Sequence, residues 1–152
     1  MGGSRSNCRG ILRTGSLAMI LFLSFPSQTI WAQSPLTDLD TEHDPAKRSQ
    51  RALALAEMAF EKAKASYGTG EIKNGDAHLD DMTKLLDACV SALEAARKAN
   101  LYKQAEIRVA TLLRRLQSLI DDIAADDRGW AEYTLRQVDG IHDKLLSGVM
   151  KK

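Results

Sequence analysis

Apolar residues recur along this chain in steps of three and four. Leu53, Ala56, Phe60, Ala63 and Tyr67 form one series, and Leu79, Met82, Leu86, Cys89, Leu93 and Ala96 a second. A third runs Tyr102, Ala105, Val109, Leu112, Leu116, Leu119, Ile123. A fourth runs Val138, Ile141, Leu145, Val149, with Trp130 and Thr134 leading into it. Such steps place side chains on one face of a helix, whereas a strand alternates with period two. The pattern predicts an all-α protein.

Local signals set the expected boundaries. Asp44 can accept from the free N–H groups of a first turn, and Pro45 at the first helical position lacks one such donor anyway. Gly68 and Gly70 suit a helix end, and Asn74-Gly75 is a second turn signal, so residues 68–75 read as a loop. Asn100 suits a cap between the second and third stripes. The helices expected on this basis run about 45–67, 76–99, 102–125 and 127–149. Asp80 with Lys84 and Glu94 with Lys98 are acid-before-base pairs four apart, each worth a few tenths of a kcal/mol.

The last boundary has two readings. Acids complement the dipole at a helix start and oppose it at a helix end, so Asp126 or Asp127 suits an N-cap and a break near Gly129. The stripe can also be threaded through positions 123, 127, 130, 134 and 138, giving one helix from Tyr102 to Val149, about 70 Å long. The chain is therefore expected to be an antiparallel bundle of four helices, or of three with helices 3 and 4 continuous. The Ala-rich first face (Ala52, Ala56, Ala59, Ala63) permits close helix approach in either case, and a coiled-coil-like seam is part of this expectation. The spacing of Ala63, Tyr67 and the following glycines resembles a tetratricopeptide-type hairpin. The Trp, Leu-Gly and closing Pro of that pattern are missing.

A different pattern precedes the stripes. Arg5, Arg9 and Arg13 come first, with no acid, and the apolar run Leu17–Phe25 follows, ended by Pro26. Ile30-Trp31-Ala32 then offers a cleavage site before Gln33. This order is that of a secretory signal peptide, residues 1–32. Nine helical residues span about 14 Å, under half a bilayer's hydrocarbon core, so no stable membrane anchor is expected after cleavage. Cys8 precedes the apolar run, where lipoprotein acylation cannot use it. Residues 33–44 hold Asp38, Asp40, Glu42 and Asp44 with no Lys or Arg and read as a flexible acidic linker, leaving 45–152 as the bundle domain.

The leader changes the charge picture. The whole chain of 152 residues has a formal net charge of +1. Without the three leader arginines it has 18 basic against 20 acidic side chains, slightly acidic overall. Neither balance suits a nucleic-acid binder driven by bulk charge.

Candidate chemistry is sparse. Around Asp76 to Met82 an imidazole, three carboxylates and a thioether gather within one helix start, so His78 and Met82, four apart on one face, are candidate metal ligands. The same acids serve equally as first-turn dipole partners. Cys89 stands alone after processing and sits within an apolar stripe, as a small hydrophobe does; an intermolecular disulfide is the other reading. Asp121, Asp122, Asp126 and Asp127 do not match a calcium loop. The chain has no CxxC, phosphate loop, dinucleotide loop, nucleophile elbow or HExxH, so no cofactor and no enzyme are expected. Arg114, Arg115 and Arg136 are the charges an all-helical catalyst would draw on, as any charged helix could supply.

Arg128, Trp130 and Tyr133 form a compact candidate for partner contact, since Trp, Tyr and Arg dominate interface hot spots. Closure of the bundle end is the competing role for them. In outline, residues 45–152 resemble small exported helical proteins of bacterial envelopes, a likeness that carries over no residue. The expectation is an exported protein, periplasmic or secreted, acting through a protein partner or a homo-oligomer. A metal-binding or stress-sensing bundle and a tetratricopeptide-like repeat adaptor are the alternatives.

Overall fold

The computed structural model describes Leu39 and residues 41–150. The expected signal peptide and Lys151-Lys152 lie outside them. The described residues form four helices and no strand: α1 Pro45–Gly68, α2 Ile72–Ala96, α3 Ala99–Asp122 and α4 Gly129–Met150. The break between the third and fourth stripes is present.

The start of α1 follows the capping logic. Asp44 Oδ1 accepts from the Ala46 N–H at 2.9 Å, with Pro45 opening the helix. Just upstream, the Glu42 N–H donates to the Leu39 carbonyl, and Leu39 is buried in the core. The end of the segment expected as a linker thus folds back onto the bundle.

The first connection is shorter than the turn signals imply. It spans only Thr69 to Glu71, with Gly70 at φ 77° supplying the left-handed residue. Asn74 and Gly75 belong to the first turn of α2, both donating to the Glu71 carbonyl. Packing overrides the turn propensity here. Gly75 is buried, and a Cβ on it would lie 2.8–2.9 Å from the Tyr67 ring. The missing side chain lets α1 and α2 close at this end, where the Tyr67 hydroxyl donates to Asp76 Oδ1 at 2.5 Å. Asp76 is therefore a tertiary partner and not the cap of α2.

The second connection is Arg97 and Lys98, with Arg97 at φ 52°. Asn100 lies inside α3, so a strained arginine turns the chain where Asn suggested a cap. In the third connection, Asp126 and Asp127 occupy a turn closed by the Asp127 N–H on the Ala124 carbonyl. They precede α4 without capping it.

Cross-helix contacts give the arrangement. Tyr67 meets Asp76, while Leu53 and Ser49 line a hollow with Cys89 and Leu93, so α1 and α2 are antiparallel. His142 bonds Glu106 at 3.1 Å and the Tyr102 ring lies against Gly148, so α3 and α4 are antiparallel too. Glu57 pairs with Arg108 and Glu61 with Arg115, which makes α1 and α3 parallel neighbours. Consecutive helices alternate in direction as the short connections require. Two hairpins are thus stacked, α1 beside α3 and α2 beside α4, with α1/α4 and α2/α3 on the diagonals.

One core runs through all four helices. Phe60, Leu79, Met82, Leu86, Leu112, Leu116, Val138 and Leu145 are almost wholly buried. Each such side chain contributes about 1.5–3 kcal/mol relative to exposure. Arg115 also lies over the Phe60 ring, 4.8 Å from its centroid.

Candidate functional site

Among the described residues, the start of α4 presents the most exposed aromatic surface. Ala131 and Thr134 point into the core, which leaves Trp130 and Tyr133 on the outward flank of the same turn, each 43% exposed. Their ring centroids are 5.3 Å apart with planes inclined at 44°, a tilted contact in the favourable range for aromatic pairs. Gln137 Nε2 donates to the Tyr133 hydroxyl at 2.7 Å and holds the phenol in place from one turn along. The hydroxyl keeps its own proton for an outside acceptor. Large apolar area with polar handles, fixed before binding, is what an interface anchor needs.

Arg128 separates from this pair. Its Nη2 donates to the Ile123 carbonyl at 2.8 Å, satisfying a C=O that the end of α3 leaves free. Its Nε is buried without a hydrogen-bond partner. The arginine clasps the connection from α3 to α4, while the two aromatics face outward. Of three candidate contact residues, the structure brings two together on the surface and turns the third inward.

The candidate metal pair stays a pair. Met82 is fully buried and belongs to the core. Asp76 is engaged by Tyr67, and Asp80 bonds Lys84 Nζ at 2.6 Å. Among the described residues no three His, Cys, Asp or Glu side chains cluster where an ion could be held. His142, the other helical histidine, spends Nε2 on Glu106.

Cys89 is 2% exposed, and burial raises its thiol pKa from 9.0 to about 11, with Arg108 pulling the other way. It is a protonated, packed side chain at neutral pH. Burial, followed by the bond to Asp76, raises the Tyr67 phenol as well. Neither group is a ready nucleophile.

Two features escaped the periodicity. Leu113 and Leu135 lie off the core stripes, yet both are half-buried against the core, and Arg114 and Arg136 flank them. An apolar residue out of step with its stripe was the available signal. The Tyr102–Gly148 contact is the second, signalled only by a glycine inside a helix.

Comparison of the chain with protein-family models, with curated proteins and with solved structures finds no match. Function therefore rests on the geometry.

Proposed function

We propose that this chain is an exported helical-bundle protein, periplasmic or secreted, that acts by binding another protein. The observation that carries this reading is the Trp130–Tyr133 pair, two large side chains held against each other and left 43% exposed. Surface of this kind contributes little to stability when solvated and much to affinity when a partner covers it. Export rests on the basic, apolar and small-residue order of residues 1–32. No described helix is long and apolar enough to cross a membrane.

Photo-crosslinking in cells tests the contact, with the reactive group placed at Tyr133 and, as control, at exposed Ala54 on α1. A discrete adduct from position 133, absent from 54 and lost in Trp130→Ser, is the expected result. Identical patterns from the two positions would overturn the proposal. Sequencing the N-terminus of the purified protein tests export separately: Gln33 is expected, and retention of residues 1–32 would refute processing.

The stacking of like helices, α1 on α3 and α2 on α4, favours one second reading, a helical-hairpin repeat adaptor. The hairpins start at Pro45 and Ala99, 54 residues apart. Tetratricopeptide units recur every 34 or so, so the repeat would be of a longer kind.

A further inference from the structure

Arginines on α3 divide into two sets. Arg108 and Arg115 turn toward α1, where each holds a glutamate, Glu57 and Glu61. Arg114 lies on the other side, and its only bond among the described residues is a 3.3 Å contact from Nη2 to Thr111 Oγ1 on its own helix. Arg136 of α4 has no ion pair or hydrogen bond among the described residues. Both line a groove of about 360 Å³ between α3 and α4, together with Leu113, Leu135, Gln117 and Asp139. Trp130 and Tyr133 are not part of it.

The volume lies within the range of small-ligand sites, about 300–1,000 Å³. Its apolar floor comes from the two leucines that fell outside the core stripes. They are half-buried against the core and leave one side to the groove. Two guanidiniums that make no ion pair among the described residues border that floor, with one carboxylate, Asp139, beside them. The local balance favours an anion over an apolar body. Guanidinium groups recognise carboxylates through paired N–H donors, as Arg108 does to Glu57 in this same molecule, at 2.8 and 2.6 Å. The two glutamates nearest in kind are already held on the opposite flank of α3. Asp139 offsets one of the groove's two positive charges, which leaves one for an anion from outside the bundle.

We propose that the groove between α3 and α4 binds a medium-chain monocarboxylate, its chain along Leu113 and Leu135 and its carboxylate between Arg114 and Arg136. Gln117 can donate its side-chain amide to the same oxygens, and Asp139 excludes dianions by repulsion. No covalent step is involved.

Heteronuclear NMR titration of the purified protein with octanoate, octylammonium and octanol is the test. Octanoate is expected to shift the amides of residues 113, 114, 117, 135, 136 and 139 saturably. Octylammonium and octanol should bind at least tenfold more weakly. Arg114→Gln and Arg136→Gln should each weaken octanoate binding about tenfold without loss of helicity, both side chains being surface groups. Lys103→Gln, exposed on the same helix, should leave binding unchanged. Absence of a saturable shift would overturn the proposal, as would octanol or octylammonium binding as tightly as octanoate. Full retention of binding in the double arginine variant would do the same. Trp130→Ser serves as a cross-check: it should abolish the protein contact proposed above and leave octanoate binding intact.

Discussion

The two hairpins solve the same packing problem with different side chains. On the buried face of α1 stand Ala52, Ala56, Ala59 and Ala63, with Gly75 on α2 under the Tyr67 ring. On α3 the corresponding face is Leu101, Val109, Leu112, Leu116 and Leu119, with a single alanine at 105. Small residues let α1 and α2 approach closely, and this is the most extensive interface among the described helices. Larger ones leave α3 and α4 a less extensive interface, although Gly148 under the Tyr102 ring gives this pair one close approach of its own, and its exterior keeps an open groove. The exposed aromatic pair belongs to the second hairpin as well. The first hairpin acts as a tight base, and the candidate binding features sit on the looser one. Close packing consumes surface that wider spacing leaves available.

The comparison breaks if the hairpins respond alike to a change of side-chain size. Leu112→Ala, at a fully buried site in α3, should lose about 2–5 kcal/mol by urea unfolding, through lost transfer energy and an unfilled cavity. Ala56→Leu, at a fully buried site in α1, should lose about 1–3 kcal/mol for the opposite reason, since no space exists for the added carbons. Gly75→Ala belongs with it. An ordinary helix gains about 1 kcal/mol from that substitution, but here the new Cβ meets a ring already bonded to Asp76, so the sign should reverse. Gly140→Ala, where a Cβ would meet nothing within 4 Å, should show the ordinary gain. A neutral Ala56→Leu or a stabilising Gly75→Ala would show that α1 and α2 are not closely packed.

These cases also show what a sequence can and cannot convey. The all-helical fold was legible, because periodicity of three and four reports one buried face directly, whereas the break before Gly129 was not, because the stripe also threads through positions 123, 127, 130, 134 and 138. Pro45 was placed correctly because capping is local chemistry. Boundaries failed where a long-range contact overrode a local signal. Asn74-Gly75 has the composition of a turn, but Gly75 is small for the sake of Tyr67, eight positions earlier. Parallel stacking of α1 on α3 was not legible, since it rests on Glu57 and Glu61 meeting arginines some fifty residues away. At the candidate contact surface, Trp130 and Tyr133 were legible as large side chains beside a turn. Arg128 was not, because only the fold shows which carbonyl it reaches.

Where the two hairpins meet, alkaline titration gives a smaller effect. Cys89 lines a hollow of about 20 Å³, room for one water, with Ser49, Leu53, Leu101, Gln104 and Arg108, so it reports on the seam between α1, α2 and α3. Its thiol is raised from 9.0 to about 11 by burial. The folded pKa lies above the unfolded one, so the stabilisation is complete below pH 9 and is lost as pH rises from there through about 11. That difference sets an upper bound of about 2.7 kcal/mol. Tyr67, raised by burial and by Asp76, adds its own loss above pH 10. Unfolding free energy should therefore fall from pH 9 to 11, and Cys89→Ala should flatten the first part of that fall. An unchanged slope in the variant would mean that water reaches the thiol and the seam is open.

The smallest effect concerns the ion pairs between the hairpins. Glu57 accepts two hydrogen bonds from Arg108, at 2.8 and 2.6 Å, in the paired geometry that makes such contacts strongest. Their side chains are 35% and 39% exposed, however, so solvent screens the attraction. Glu57→Gln should cost less than about 1 kcal/mol at low ionic strength, and high salt should erase most of that. The pair fixes which helix lies beside which, and the shared leucine core supplies the adhesion. A loss above about 2 kcal/mol that persists in high salt would reverse this division. The hairpins would then be two separately packed units held by charge, and the tightness of the first could no longer explain the openness of the second.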